Sequence, residues 1–250
     1  MLSTKLLSEY IETFYGYGNW GKSNFWFVGI EEGGGKTIEN VTQRIESWAK
    51  LGKTDLLDCK LHHENIGSTF NKNVLHSRTW TSLILTKLGF ESDSYTNKDI
   101  LDIQYNQWGQ LDSDNLLIEL FPPPSPGLSK WDYPDWVDLN SNLDFLKDRA
   151  PYKAKVIEQR IAYIQSKIRD YKPKIVLFYS KSMEEYWNKI IGTSQLQTKH
   201  VWGKYNIRVI QKDGTCFIQC AQPSYIWDRN FWIELGKIIK ELLANHSLAQ

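Results

Sequence analysis

Four short apolar runs constrain this chain more than any other feature: residues 25–30 (FWFVGI), 116–121 (LLIELF), 174–180 (KIVLFYS) and 216–221 (CFIQCA). Each has the length of a strand, and each stops at polar, Gly or Pro residues. None alternates apolar with polar, so both faces of each strand must be covered, as in a mainly parallel sheet buried between helices. The segments between them carry helical spacing, with apolar residues three or four apart in 77–88, 152–171, 182–191 and 230–243. Residues 206–211, the turn Lys212-Asp213-Gly214-Thr215 and the last run predict an antiparallel hairpin, because Asp-Gly suits the turn that twisted strands require. The expected fold is therefore a three-layer α/β/α sandwich around a central, mainly parallel four-stranded sheet. No linker or repeat divides the chain, so residues 1–250 are expected to form a single domain.

Composition narrows the classes of function. Apolar residues make up 41% of the chain, enough for a continuous core, yet no run approaches the roughly 18 residues of a membrane span. Residues 1–10 have the spacing of an amphipathic helix rather than an export signal. Three cysteines, Cys59, Cys216 and Cys220, do not make a disulfide framework, so a reducing cytoplasm is the expected location. A net charge of +1 means that any contact with nucleic acid must rest on a local patch. Aromatic residues reach 14%, many in polar segments where they can stack on bases or sugars.

Ligands of open parallel sheets sit beyond the carboxyl ends of the strands. Here those ends carry Glu31-Glu32-Gly33-Gly34-Gly35, then Glu119 with Phe121 and residues 122–126 (PPPSP), then Tyr179-Ser180, and last Gln222-Pro223-Ser224-Tyr225. Two acids, a triple glycine, a proline-rich segment and a Gln-Pro-Ser turn are thus expected on one face.

In this order, the segments VGIEEGGG (28–35), LLIELFPPPSP (116–126), RDYKPKIVLFYS (169–180), Gln222-Pro223-Ser224 and NFWIELGKIIKELL (230–243) resemble the uracil-DNA glycosylase superfamily. The resemblance spans about residues 24–243. It implies a monofunctional DNA glycosylase that extrudes a base from double-stranded DNA and hydrolyses the N-glycosidic bond. On it, Glu31, two residues past Gly29, matches the acid that stabilises positive charge at C1′ and positions a water, with Glu32 as the alternative. Gly29, Ile30, Glu119 and Phe121 are expected at the base. Pro122, Pro123, Ser125, Ser224, Tyr225, Ile226 and Arg229 are expected at the DNA, with Ile226 as an apolar wedge.

Two positions depart from the superfamily's pattern. Gln222 stands where a His donates to the base O2, and its amide can still donate. Glu119 stands where uracil-specific members carry Asn. A carboxylate only accepts, which suits the N4 amino group of a cytosine and disfavours uracil. A host cannot safely remove ordinary cytosine, so hydroxymethylated or glucosylated cytosine of phage DNA is the expected substrate, and the chain is similar in logic to antiviral glycosylases. Residues 131–136 and 227–232 are candidates for binding the sugar. Lys130, Arg149, Lys153 and Lys155 are candidates for a basic patch.

Other readings fare worse. Gly35-Lys36-Thr37 suggests a P-loop, but the first glycine of that motif would fall on Ile30. Cys59, His62 and His63 lack a fourth ligand at a zinc spacing, and three cysteines cannot hold a four-cysteine cluster. No metal or cofactor is expected, Lys36 is not placed for a Schiff base, and the protein is expected to be monomeric. The remaining alternatives are a repair glycosylase for uracil or damaged bases and a nucleic-acid-binding module without catalysis.

Overall fold

Strand β2 (Phe25–Gly33) lies at the centre of the molecule, and its first six residues are all buried. The computed structural model describes residues 2–68, 70–92, 94–127 and 129–247. On one side β2 pairs in parallel with β4 (Asn115–Ser125), with Gly29 opposite Glu119. On the other it pairs with β5 (Ile175–Tyr179), and β5 pairs with β8 (Thr215–Cys220), again in parallel. These four strands are the apolar runs of the sequence.

The sheet is larger than expected. It has eight strands in the order β3-β1-β4-β2-β5-β8-β7-β6, where β1 is Gly16–Tyr17, β3 Leu56–Leu57, β6 Gln197–Trp202 and β7 Tyr205–Lys212. β1 runs antiparallel to β4, and β6, β7 and β8 form an antiparallel meander. Between β7 and β8, Asp213 and Gly214 take φ of 52° and 83°, the two positive values of the expected hairpin turn.

Alternate residues of β2 face opposite layers. Phe25 meets Phe90 of α4 (Arg78–Glu91) edge-on at 5.9 Å, and Phe27 meets Trp108 at 5.1 Å. Trp26 contacts Trp20 at 5.0 Å, and Trp20 in turn contacts Tyr163 of α6 (Arg149–Tyr171). Phe178 of β5 stacks on Trp187 of α7 (Glu184–Ile191) at 5.2 Å. The α/β/α layering therefore follows from residues that are apolar on both faces. None of the helices among the described residues is long and apolar enough to cross a membrane.

Helix α6 joins the layers. It starts at an Asp148 cap and stops at Lys172, in left-handed conformation before Pro173, which cannot continue a helix. Midway along it the buried Arg160 donates to the carbonyls of Leu120 (2.9 Å), Phe14 (2.7 Å) and Glu119 (2.6 Å). One guanidinium thereby satisfies three backbone acceptors, two in the middle of β4 and one at Phe14, where the N-terminal helix ends.

Strand β4 continues beyond the expected end at Phe121. Pro122, Pro123 and Pro124 remain in extended conformation, and Ser125 lies opposite Gly33 across a register shift between Glu31 and Gly33. Thr37, read as part of a P-loop alternative, instead caps α2 (Ile38–Lys50) with its hydroxyl.

Helices α4 and α8 (Arg229–Ser247) cross at glycines. A Cβ on Gly236 would lie 2.1 Å from the Thr86 carbonyl oxygen, and one on Gly89 would lie 2.2 Å from that of Ile233. Both obstacles are backbone atoms, which cannot rotate away. Gly236→Ala should therefore destabilise the fold by roughly 3 kcal/mol, the upper end of the overpacking range, as read from the urea midpoint; an unchanged midpoint contradicts this crossing.

Candidate active site

The carboxyl ends of the four parallel strands open into one cavity of about 590 Å³. Strand β2 contributes Ile30, Glu31, Glu32 and Gly33, β4 contributes Glu119 and Ser125, and β5 contributes Tyr179, with Ser180 just beyond it. Gln222, Ser224 and Tyr225 follow β8. The expected convergence on one face is therefore present, and the volume lies in the range of small-molecule clefts, about 300–1,000 Å³.

Several expected site residues lie elsewhere. Phe121, Pro122 and Pro123 are buried in the strand and do not reach the cavity; Phe121 instead packs edge-on against Tyr152 and Tyr186. Gly29 lies beneath the cavity, where a Cβ would fall 2.0 Å from the Tyr179 hydroxyl oxygen, so its bareness admits that ring beside Glu119. Ile226 is 3% exposed, packed in the core, and cannot serve as a wedge. Its neighbours Tyr225 and Trp227 are 67% and 74% exposed, because the turn at Pro223–Tyr225 directs them outward. Arg229 starts α8 and donates to the Asn97 side chain, away from the cavity.

The triple glycine serves the protein's own packing. Gly34, at φ 121°, leaves room for the Arg44 guanidinium, and Gly35, at φ 62°, lies against the Pro124 carbonyl. Of the expected basic patch, Lys130 and Lys155 are exposed, whereas the other two residues turn to the protein itself. Arg149 is drawn inward by an ion pair, and the Lys153 ammonium sits 5.0 Å from the Phe121 ring centroid. Of the aromatic residues expected to bind sugar, Trp131 stacks on Tyr152, Trp232 is buried, and neither lines the cavity.

The three acids of the cavity have different surroundings. Glu31 gives Oε2 to Arg149 Nη1 at 2.5 Å, and Arg149 is held in turn by the Ser125 hydroxyl (2.7 Å) and the Gly127 carbonyl (3.0 Å). Burial pushes the Glu31 carboxyl upward, against the pull of Arg149 and Lys153. Burial alone would raise Glu32 as well. Arg44 above all, with His62, His63 and the Tyr17 hydroxyl (2.7 Å), overcomes this and holds it near 2. Glu119 has no such partner. Burial, and then Glu32 and Glu31, push it well above the carboxylate range, and its Oε2 is buried without a hydrogen bond.

Sequence reasoning missed a whole wall of the cavity. Tyr17 from β1, Arg44 from α2, His63 from α3 (Cys59–Asn65), His76, and Ser77, Thr79 and Trp80 at the start of α4 all line it. Trp80 stacks on His76 at 4.3 Å. The only available signals were isolated polar residues on helical faces, which ordinarily mark solvent. His63 Nδ1 donates to the Cys59 carbonyl at 2.8 Å, leaving Nε2 as an acceptor 4.0 Å from Glu32. Gln222 also has a buried oxygen, Oε1, without a partner. Among the described residues no three His, Cys, Asp or Glu side chains are grouped to hold a metal ion.

Burial lowers His62 from 6.5 to about 4 and His63 from 6.5 to about 3. Below pH 6.5 the unfolded chain takes up protons that the folded chain refuses, so this part of the stability is complete above 6.5 and declines on acidification. Relative to His63→Gln, the wild type should lose roughly 3 kcal/mol between pH 6.5 and pH 4, at about 1.4 kcal/mol per pH unit. Equal pH slopes in urea titrations of the two proteins would contradict a neutral buried imidazole. No protein-family model and no curated protein matches this sequence.

Proposed function

We propose that this protein is a monofunctional DNA glycosylase, which binds an extruded base in the strand-end cavity and hydrolyses its N-glycosidic bond. The observation that carries the reading is the meeting of Glu31, Glu119 and Gln222, from the ends of three parallel strands, in one cavity large enough for a nucleoside. Cleavage leaves positive charge on the sugar and negative charge on the base. A carboxylate at C1′ and a donor at O2 stabilise the two.

Glu31 suits the first role better than Glu32. Its bond to Arg149 occupies Oε2 and leaves Oε1 for a water, whereas Glu32 is tied to Arg44 and Tyr17. The Gln222 amide is the donor for O2, and Glu119 meets the Watson–Crick edge. A carboxyl oxygen there can accept from an N4 amino group, and the cavity of about 590 Å³ exceeds a bare pyrimidine, which supports a cytosine enlarged at C5 as the substrate. Exposed Tyr225 and the face of Trp227 that Arg78 leaves uncovered are the rings proposed to stack on neighbouring bases. Lys181 and Lys204 line an adjoining cleft of about 270 Å³ that shares Ser180, and can meet phosphates.

Duplexes containing uracil, cytosine, hydroxymethylcytosine or glucosylated hydroxymethylcytosine provide the test, with alkali-labile sites as the readout. Cleavage is expected at a modified cytosine, and Glu31→Gln should lower the rate about 10²–10⁴-fold while DNA binding persists. Efficient release of uracil would make the protein a repair glycosylase. Binding without any labile site would reduce it to a nucleic-acid-binding module, and a covalent complex trapped by borohydride would contradict attack by water.

The rim residues are separable from the core. Trp227→Ala should weaken DNA binding by about 1–3 kcal/mol with an unchanged melting temperature. Ile226→Ala should instead lower the melting temperature, at a cost of roughly 2–5 kcal/mol in stability. The opposite pattern would restore Ile226 as the wedge.

A further inference from the structure

Among the described residues the Glu119 carboxyl has no ion-pair or hydrogen-bond partner; Arg160 alone pulls it down, more weakly than burial and the neighbouring acids push it up. Strand β2 presents two further carboxyls to it, Glu31 and Glu32, whose cations, Arg149 and Arg44, are already bound to them. From β5 the Tyr179 phenol stands beside it, where Gly29 leaves space, and from α3 the Cys59 thiol, itself pushed up by burial. Helix α6 brings Arg160, but that guanidinium donates to the backbone carbonyls of Glu119, Leu120 and Phe14, not to the carboxyl. Tyr17 and His63 complete the cavity wall, and their bonds run to Glu32 and to the Cys59 carbonyl. The buried Oε2 receives no hydrogen bond. A negative charge there would be desolvated, unpaired and next to two others, an arrangement that proteins avoid by protonation.

We propose that Glu119 acts as a neutral carboxylic acid, so that the cavity offers its ligand one donor and one acceptor side by side. This rests on the reading of the cavity as a base pocket and changes what that pocket selects. An acid pairs in two places with any flat heterocycle that carries a donor next to an acceptor. With a cytosine-type edge it accepts from N4-H and donates to N3; with a uracil-type edge it accepts from N3-H and donates to O4. The ionised form could make only one of each pair and would set its other oxygen against a lone pair. Glu119 therefore favours neutral pyrimidine edges as a class, and choice among them falls to the rest of the cavity. In this form Glu119 does not by itself disfavour uracil.

The test compares wild type with Glu119→Gln, whose amide keeps a donor and an acceptor but cannot ionise. In urea titrations from pH 5 to pH 9, a folded-state acid raised above its unfolded value binds an extra proton. Stability is then complete below the unfolded value and is lost as pH rises toward the folded one. The folded-to-unfolded ratio of the wild type, relative to Glu119→Gln, should fall up to tenfold per pH unit across that window. A flat difference would overturn the proposal. In the second arm, free cytosine and free uracil are titrated into both proteins by NMR. Both bases should bind the wild type more weakly once pH rises past the folded-state value of Glu119, as located by the end of the stability slope, and Glu119→Gln with little dependence on pH. If stability shows the proton and neither base binds, the neutral acid stands and the base-pocket reading fails. Wild-type affinity that rises with pH would overturn the neutral-acid pairing.

Discussion

Three carboxyl groups, Glu31, Glu32 and Glu119, share one cavity, and much of the local architecture serves to keep their charges apart. Unpaired buried charge is too costly to persist, so each acid needs its own solution. Glu31 takes Arg149 from the first turn of α6, and Glu32 takes Arg44 from α2 with the Tyr17 hydroxyl from β1. Glu119, with no cation left for it, is pushed toward its neutral form.

These solutions reach well beyond the cavity. Gly34, without a side chain and at positive φ, leaves room for Arg44 beside Glu32, and Arg44 is steadied by Asn40, which also accepts from the Gly35 backbone. The turn after β2 and the start of α2 are therefore tied to the ion pair. Arg149 binds the Ser125 hydroxyl and the carbonyls of Gly127 and Lys130, so the segment after β4 closes around the same guanidinium that holds Glu31. Eleven residues further along α6, Arg160 fixes the backbone of β4 at Glu119 itself. One helix thus orients two of the three acids through two arginines.

The sequence made the parallel core legible because continuous apolar runs have few alternatives. FWFVGI or LLIELF cannot lie at a surface, and their order with the helical patterns left little choice of architecture. The outer strands had no such signal. β1 and β3 are two residues long, and β6 is a largely exposed edge carrying Lys199 and His200, where neither burial nor clear alternation survives. The strand ends were legible for the same reason as the strands. The opposite wall was not, because Arg44, His63, His76 and Trp80 come from segments whose relation to β2 is set by tertiary packing alone. Ile226 failed in an instructive way. A Tyr-Ile-Trp run after a turn must bury one aromatic or aliphatic side chain, and the structure buries the branched aliphatic while both rings go outward.

The same distribution of charge bears on the chemistry proposed for Gln222. A base leaving with negative charge would be repelled by three ionised carboxylates, and a single amide donor at O2 would do little against them. With Glu31 and Glu32 each paired to an arginine, and with Glu119 holding its proton as proposed, the cavity would be close to neutral where the proposed reaction develops that charge. The donor then has less opposing field to overcome, and the low dielectric of the site strengthens what it does supply. An amide at position 222 cannot carry the positive charge that a protonated imidazole would. In the proposed reaction such a donor is sufficient only where the neighbouring acids are neutralised, by Arg149 for Glu31, by Arg44 for Glu32 and by the proton proposed for Glu119.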